Sequence, residues 1–426
     1  MSPSSGSKID WRTVPLGTLG VAFAAWGLSN MDQSLFGYAV PDVMAAFKVG
    51  LDAISLIISA SFAFGIVASI AVGVLTDSWG PKKTLPLCLG ISALLVGFQA
   101  FAPSALAFGF LRVGSAGFSS AISPITNAMV AGRAPPRLRA MLLAVLQCGY
   151  PFGWFVASVF AAPIMAHTGW RPAFMVAFAV IPIAASLYFV IPSSPKTVAT
   201  PPGVKPAPRA SLAAPLKAVF GPKYRWITIF SGLALLLYGG AAGGTAFYMP
   251  TFFHAVRGYS AADAARIVGA SYGIGIFGYI VAALVSEGLL TRRDTAITWL
   301  WLGALAFLAT LWLPKTVTQD IVVFGITTFF FYGATAVLLI YLVELFPQEL
   351  RATAAAVSGT AAVSAGFMIF PILTVVAVGR VGWSLGMSAV IVPTLIVSGL
   401  MLLLLPRRVE GERGALPVGE GAMSAV

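Results

Sequence analysis

The sequence predicts an all-α polytopic membrane protein, twelve transmembrane helices in two six-helix halves. Three observations predict it. Of 426 residues, 58% are hydrophobic and 9% charged, whereas a soluble domain carries roughly 25% charged residues because its surface faces water. The apolar residues come in continuous runs of the ~20 residues that a helix needs to cross a bilayer core, without the alternating polarity of a membrane barrel. Short motifs recur in order, at a spacing near 210 residues. This composition excludes a soluble enzyme, a disordered chain and a disulfide-built scaffold. Cys88 and Cys148 fall inside apolar runs and read as small buried hydrophobes rather than a bridge or metal pair.

Polar breaks delimit the helices in order. The first helix starts near Val14 after a polar segment; nothing there resembles a signal-peptide cleavage site, so this span is expected to stay in the mature chain. Breaks near Lys48, Trp79 to Lys83, Pro103, Arg133 to Arg139 and His167 to Arg171 separate helices 1 to 6. The stretch 193–223 is rich in proline and lysine, lacks an apolar run, and reads as a linker. Breaks near Val256 to Asp263, Thr291 to Asp294, Pro314 to Asp320, Pro347 to Arg351 and Gly379 to Gly382 separate helices 7 to 12, which end near Leu405. The expected organisation is a half at 1–192, a linker at 193–223, a half at 224–405 and a tail at 406–426. Internal glycines and prolines fit, since membrane helices tolerate them and pack closely through small residues.

An even number of spans puts both termini on one side. Nineteen of the 26 basic residues fall in segments on that side. Six lie on the other (Lys48, Arg171, Arg257, Arg266, Lys315 and Arg380), and Arg112 lies within a span. The positive-inside rule therefore places both termini, the linker and the tail in the cytoplasm of a cell whose inner (plasma) membrane the chain crosses. The net charge of +12 reports that orientation, not nucleic-acid binding.

The halves echo each other. Pro41, closing the first span, matches Pro250, closing the seventh. Asp77 with Lys82 and Lys83 matches Glu287 with Arg292 and Arg293. Leu138-Arg139-Ala140 matches Leu350-Arg351-Ala352, and Gly169-Trp170 matches Gly382-Trp383. Four pairs in order, with an offset drifting from 209 to 213, indicate a duplicated unit. Two such halves related by an axis along the membrane normal describe a transporter that rocks around a midplane site.

Two motifs point to a family. The stretch Gly73-Val-Leu-Thr-Asp77-Ser-Trp-Gly80-Pro-Lys82-Lys83 is similar to the loop between helices 2 and 3 of the major facilitator superfamily. Glu344-Leu-Phe-Pro347-Gln-Glu-Leu-Arg351-Ala352 resembles that family's signature between helices 10 and 11, although Gly132 stands in the first half where Glu344 has its carboxylate. The resemblance covers essentially the whole chain. It implies a secondary transporter whose loop cluster latches one state of the cycle, with Asp77, Lys82, Lys83, Glu287, Glu344 and Arg351 as gating residues. From the residues alone, Asp77 can accept hydrogen bonds from a neighbouring helix N-terminus, and Lys82 and Lys83 can sit near anionic headgroups or simply orient the loop.

Charges inside a bilayer are costly, by about 2.5 to 3.5 kcal/mol on insertion scales, and mark functional candidates. Asp32 in helix 1 is the one acid well inside an apolar segment, and Arg112 in helix 4 the one comparably placed base. Arg112, Ser115, Ser119, Ser123 and Thr126 recur at three- and four-residue steps, so they share a face, which is expected to line a water-filled cavity. Helix 5 adds Gln147, Tyr150 and Trp154. The second half adds Tyr238, Tyr248, Tyr272, Tyr279, Tyr332 and Tyr341, with Ala241 at the repeat position of Asp32.

The expected substrate-binding set is Arg112, Ser115, Ser119, Gln147, Tyr150 and Tyr332. A guanidinium binds a carboxylate bidentately, so Arg112 would hold an organic anion while Asp32 carries a proton. The alternative for this pair is a structural ion pair joining helices 1 and 4. His167 and His254 fall near helix ends and read as rim residues. The sequence carries no metal cluster, nucleophile triad or ATP motif, which favours an ion gradient, here protons, over any cofactor.

Asp32, the run Gln147-Cys-Gly149-Tyr-Pro-Phe-Gly153-Trp154 and Pro250-Thr-Phe-Phe-His-Ala-Val-Arg257-Gly258 resemble the organic-acid and aromatic-acid proton symporters of the superfamily. Those usually show two acids three residues apart in helix 1, and Ser29 occupies the first position here. The expected partners are a small organic anion, a proton and the lipid bilayer, with no nucleic acid and a functional monomer. A proton antiporter exporting amphipathic drugs or cations is the alternative, with Asp32 as its cation site. A non-transporting membrane receptor is a third.

Overall fold

The computed structural model describes residues 15–135, 138–191 and 213–409. Lys8, Arg12, Arg137, linker residues 193–212 and tail residues 410–426 lie outside the described residues. Among the described residues, twelve long helices follow one another: α1 (Leu16–Phe47), α2 (Leu51–Trp79), α3 (Pro81–Gln99), α4 (Ala105–Arg133), α5 (Arg139–Gln147 and Gly149–Thr168) and α6 (Trp170–Val190) form the first half. The second half is α7 (Arg225–Ala246 and Met249–Arg257), α8 (Ala261–Gly288), α9 (Arg292–Trp312), α10 (Val317–Glu344), α11 (Arg351–Val381) and α12 (Trp383–Leu403). Ten of these are long and apolar enough to cross a membrane by length and composition alone. The other two are α1, whose middle is diluted by Ser29, Asn30, Asp32, Gln33 and Ser34, and α3, whose first turn carries Lys82 and Lys83. A short helix, Ala213–Val219, precedes α7.

Prolines shape the helices. In α4, α5 and α7 the ladder slips at Ala121, Cys148 and Tyr248, where the backbone N–H reaches back to the carbonyl three residues earlier. Pro124, Pro151 and Pro250 follow within three residues. A proline supplies no N–H and crowds the preceding turn, so the helix bends rather than ends. Pro41 corrects the sequence reading: it lies inside α1, which continues to Phe47. A π-helical turn, Ala355–Ala361, interrupts α11 where Ser358 donates to the Thr228 carbonyl of α7 at 3.2 Å.

The repeat is visible in backbone and packing. Gly169 and Gly382 both adopt φ +82°, a left-handed value that favours glycine, and each makes a one-residue turn into the next helix. Leu138 and Leu350 precede α5 and α11 with nearly the same angles, φ −108° and −103°. In the first half α1 packs on α5, α2 on α4, and α3 on α4 and α6; in the second α7 packs on α11, α8 on α10, and α9 on α10 and α12. Close approach of α7 and α11 requires glycine: a Cβ at Gly366 would collide with backbone at Leu236 and Gly240.

The halves meet along α5–α8, α2–α11 and α1–α7. The described contacts sit at mid-height and toward the end of the bundle away from the termini, called here the distal end. Ser59 of α2 donates to the Met368 carbonyl of α11 at 2.6 Å, and the Phe62 and Phe367 rings stack at 4.7 Å.

Candidate functional site: a buried ion pair beside an aromatic seam

The structure brings together the two intramembrane charges that the sequence singles out. Arg112 Nη1 lies 3.1 Å from Asp32 Oδ1, with side chains 3% and 8% exposed. The second carboxylate oxygen accepts from Ser92 Oγ of α3 at 2.8 Å. An unpaired charge in such surroundings would be strongly disfavoured, so each partner stabilises the charged state of the other. Arg112 Nε has no hydrogen-bond partner. The guanidinium instead lies 4.7 Å from the centroid of the Phe36 ring, and Phe36 in turn meets Phe247 of the other half at 6.0 Å. One aromatic ring therefore stands between the ion pair and the seam joining the halves.

The polar stripe of α4 is placed differently from the expectation that it faces water. Ser115 donates to the Arg112 carbonyl at 3.0 Å and accepts from Gln99 at 3.4 Å. The Ser119 and Ser29 hydroxyls bond at 2.6 Å, and Thr126 donates to the Ile122 carbonyl at 2.9 Å. All three are buried. The stripe joins α4 to α1 and α3, because packing against neighbouring helices satisfies small hydroxyls as well as water does. A cavity of about 20 Å³ touches Asp32, Ser29 and Ser92 between α1, α3 and α6, room for about one water.

At mid-height the seam is aromatic. Tyr150 of α5 lies 5.5 Å from Tyr332 of α10 and 6.5 Å from Tyr272 of α8. Trp154 stacks on Tyr272 at 4.7 Å, Tyr272 meets Tyr332 at 5.0 Å, and Tyr279 stacks behind Tyr332 at 6.1 Å. Tyr238 bonds to Thr335 and to the Phe331 carbonyl. Trp154 is fully buried in this cluster, its ring also meeting Tyr150 at 6.3 Å. Gln147 lies half-buried one turn before Tyr150 on the same helix. Two tyrosines singled out in the sequence lie elsewhere: Tyr248 donates to Pro371 and Tyr341 to Pro406.

The gating candidates separate. Arg292 pairs with Glu344 rather than with Glu287, which is exposed. Arg351 Nε donates to the Phe346 carbonyl at 3.0 Å, fixing the α10–α11 turn. Lys82 lies over the Tyr188 ring of α6 at 5.2 Å, while Lys83 and Asp77 are exposed.

Sequence reasoning missed two residues. Ser92 is one serine among many in an apolar helix, and only its contact with Asp32 distinguishes it. Asp320, at the polar break before helix 10, has a side chain that is 0% exposed; Arg257 stands 3.8 Å away and Tyr259 donates to it at 2.8 Å. Burial and the Asp320 carboxylate push the Tyr259 hydroxyl up to about 12, so it stays a donor at physiological pH. The signal was misleading because Asp320 follows Thr316, a helix N-cap, where acids are ordinary.

Two pseudo-equivalent helical halves around an aromatic seam, with a charge pair buried at mid-height, have the architecture of a two-lobed membrane transporter. Residues 22–362 match the Major Facilitator Superfamily, and the chain belongs to it; it is a transporter and not an enzyme. It is 22% identical to the cis,cis-muconate transport protein of Acinetobacter baylyi, over 78% of this chain and 80% of that protein. It is 24% identical to the gallate transporter of Pseudomonas putida, over 76% and 77% of the two chains. Its fold is similar to a bacterial homologue of the human lysosomal transporter Spinster, solved inward-facing and unoccupied. The TM-score there is 0.68 at 18% identity, covering 91% of this chain and 94% of that one.

Proposed function

We propose that this transporter moves an organic carboxylate, aromatic or monocarboxylic, together with a proton, by alternating access across the inner (plasma) membrane as a monomer. The observation that carries the reading is the Asp32–Arg112 pair, separated by the Phe36 ring from a seam walled by Tyr150, Tyr272, Tyr332 and Trp154. Relatives named for cis,cis-muconate and gallate, both organic acids, support the substrate class.

A proton on Asp32 neutralises the partner of Arg112. The guanidinium is then free to bind a carboxylate through its planar fork. Proton and anion enter together, so the dry site never holds an unpaired charge. Aromatic faces in the seam hold the apolar body of the acid, and Gln147 offers an amide to its polar groups. Ser115 and Ser119 keep α4 in place. With the terminal end in the cytoplasm, where the basic residues gather, the packed distal half of the seam closes the path from outside. A cation exporter would need Asp32 unoccupied, and its carboxylate is already engaged by Arg112.

Uptake into proteoliposomes, with labelled aromatic and short-chain acids and an imposed pH gradient, tests this. Asp32→Asn should keep exchange of substrate for substrate and lose accumulation against a gradient. Undiminished accumulation by the variant would remove Asp32 from the coupling step.

A further inference from the structure

On the lipid-facing side of the first half, away from the seam, a groove of about 430 Å³ runs between α3 and α6. Pro86, Gly90 and Leu94 supply one wall, Ile181 and Ala184 the other, and Lys83 stands at the mouth. The α3 residues are four apart and so share a face. From Lys83 to Leu94 that face extends about 16 Å at ~1.5 Å per residue, close to half of the ~30 Å hydrocarbon core. The groove thus has the depth of one leaflet. Small residues form its floor, where a Cβ at Gly90 would come into van der Waals contact with Ala184 Cβ at 3.8 Å, and the groove runs along the surface above that contact. Lys82, lying over the Tyr188 ring of α6 at 5.2 Å, brings a second ammonium to the α6 side of the mouth.

We propose that this groove binds an anionic phospholipid of the leaflet at the terminal end, with one acyl chain between α3 and α6 and the phosphate held by Lys83 and Lys82. A slot that is apolar along its length and cationic at one end matches such a lipid in charge, polarity and length. A zwitterionic lipid fills the slot equally well and gains less at the mouth. The assignment is independent of the transported substrate and of proton coupling.

Native mass spectrometry of the full-length transporter, exchanged between phosphatidylglycerol and phosphatidylcholine, reads the preference directly. One phosphatidylglycerol should be retained over phosphatidylcholine. The double variant Lys82→Ala/Lys83→Ala should weaken that preference about 25-fold, roughly five-fold per lysine. Gly90→Leu and Ala185→Leu fill the slot from either helix and should each exclude the bound lipid; two separate variants guard against one that does not fold. A phosphatidylglycerol carrying a diazirine in its acyl chain should crosslink to residues 83–94 and 181–188. Equal retention of the two lipids, an unchanged preference in the double lysine variant, unchanged retention in both filled variants, or crosslinks mapped elsewhere would each overturn the assignment.

Discussion

The two halves share a scaffold and divide the chemistry. Equivalent helix pairs pack in each, and Gly169 and Gly382 make the same turn with the same φ. Yet where the first half holds Asp32, the repeat position holds Ala241, which is fully buried. The first half buries its charge pair at mid-height beside hydroxyls from α1, α3 and α4. The second half presents four tyrosines there and keeps its own buried pair, Arg257–Asp320, at the distal end. Each half also pins the end of its third helix with an arginine. Arg171 donates to the Ala100 carbonyl at 2.6 Å, and Arg257 donates to Thr310 and Leu311 at 3.3 Å. Duplication has kept turns and packing, whereas the two end clamps come from non-equivalent positions, Arg171 at the start of α6 and Arg257 at the end of α7, and the mid-height residues have diverged.

The largest expected effect tests whether the two buried pairs differ in kind. Arg112→Ala should lower carboxylate transport at least ~100-fold, since it removes both the anion anchor and the partner of a buried carboxylate, a loss of about 3–5 kcal/mol. Replacing both members, Asp32→Asn with Arg112→Gln, should restore thermal stability in detergent without restoring transport. Normal uptake by Arg112→Ala would end its role as anchor and leave a purely structural pair.

Next comes the distal pair. Arg257→Met leaves Asp320 buried beside only the Tyr259 hydroxyl and should cost about 3–5 kcal/mol in unfolding. Arg257→Met with Asp320→Leu should recover most of that, because well-packed apolar residues often replace a buried ion pair without loss. Substrate KM should stay within about two-fold of the parent in the double variant. A collapse of transport in a stable double variant would show the distal pair taking part in the cycle, and the contrast between the halves would fail.

How far the sequence reveals this arrangement depends on the length scale of the signal. Helix number and ends are legible because hydrocarbon demands long apolar runs and punishes every polar break. Asp32 and Arg112 are legible for the same reason: a charge inside such a run is rare. Their mutual contact, 80 residues apart in sequence, is not, and neither is the inward turn of Ser115 and Ser119, since a serine stripe looks alike whether it meets water or another helix. Asp320 is hidden by its position in a first helical turn, where the sequence context of an exposed cap and a buried ion pair is the same. The convergence of Tyr238, Tyr272, Tyr279 and Tyr332 comes from three separate helices, and only tertiary packing sets these four apart from Tyr248 and Tyr341.

The smallest effect separates recognition from coupling. Tyr332→Phe keeps the ring, and with it the contacts to Tyr150 and Tyr272, and deletes one hydroxyl at the seam. A neutral hydrogen bond contributes about 0.5–1.5 kcal/mol, so KM for an aromatic acid should rise about 2- to 12-fold. Accumulation at saturating substrate, driven by a fixed pH gradient, should not change, because the proposed proton carrier, Asp32, lies in the other half behind Phe36. The companion Tyr279→Phe, one ring further from Tyr150, should shift KM less. If Tyr332→Phe instead lowered the accumulation ratio while sparing KM, the aromatic half would share in the coupling step, and the division of labour drawn from Ala241 and Asp32 would not hold.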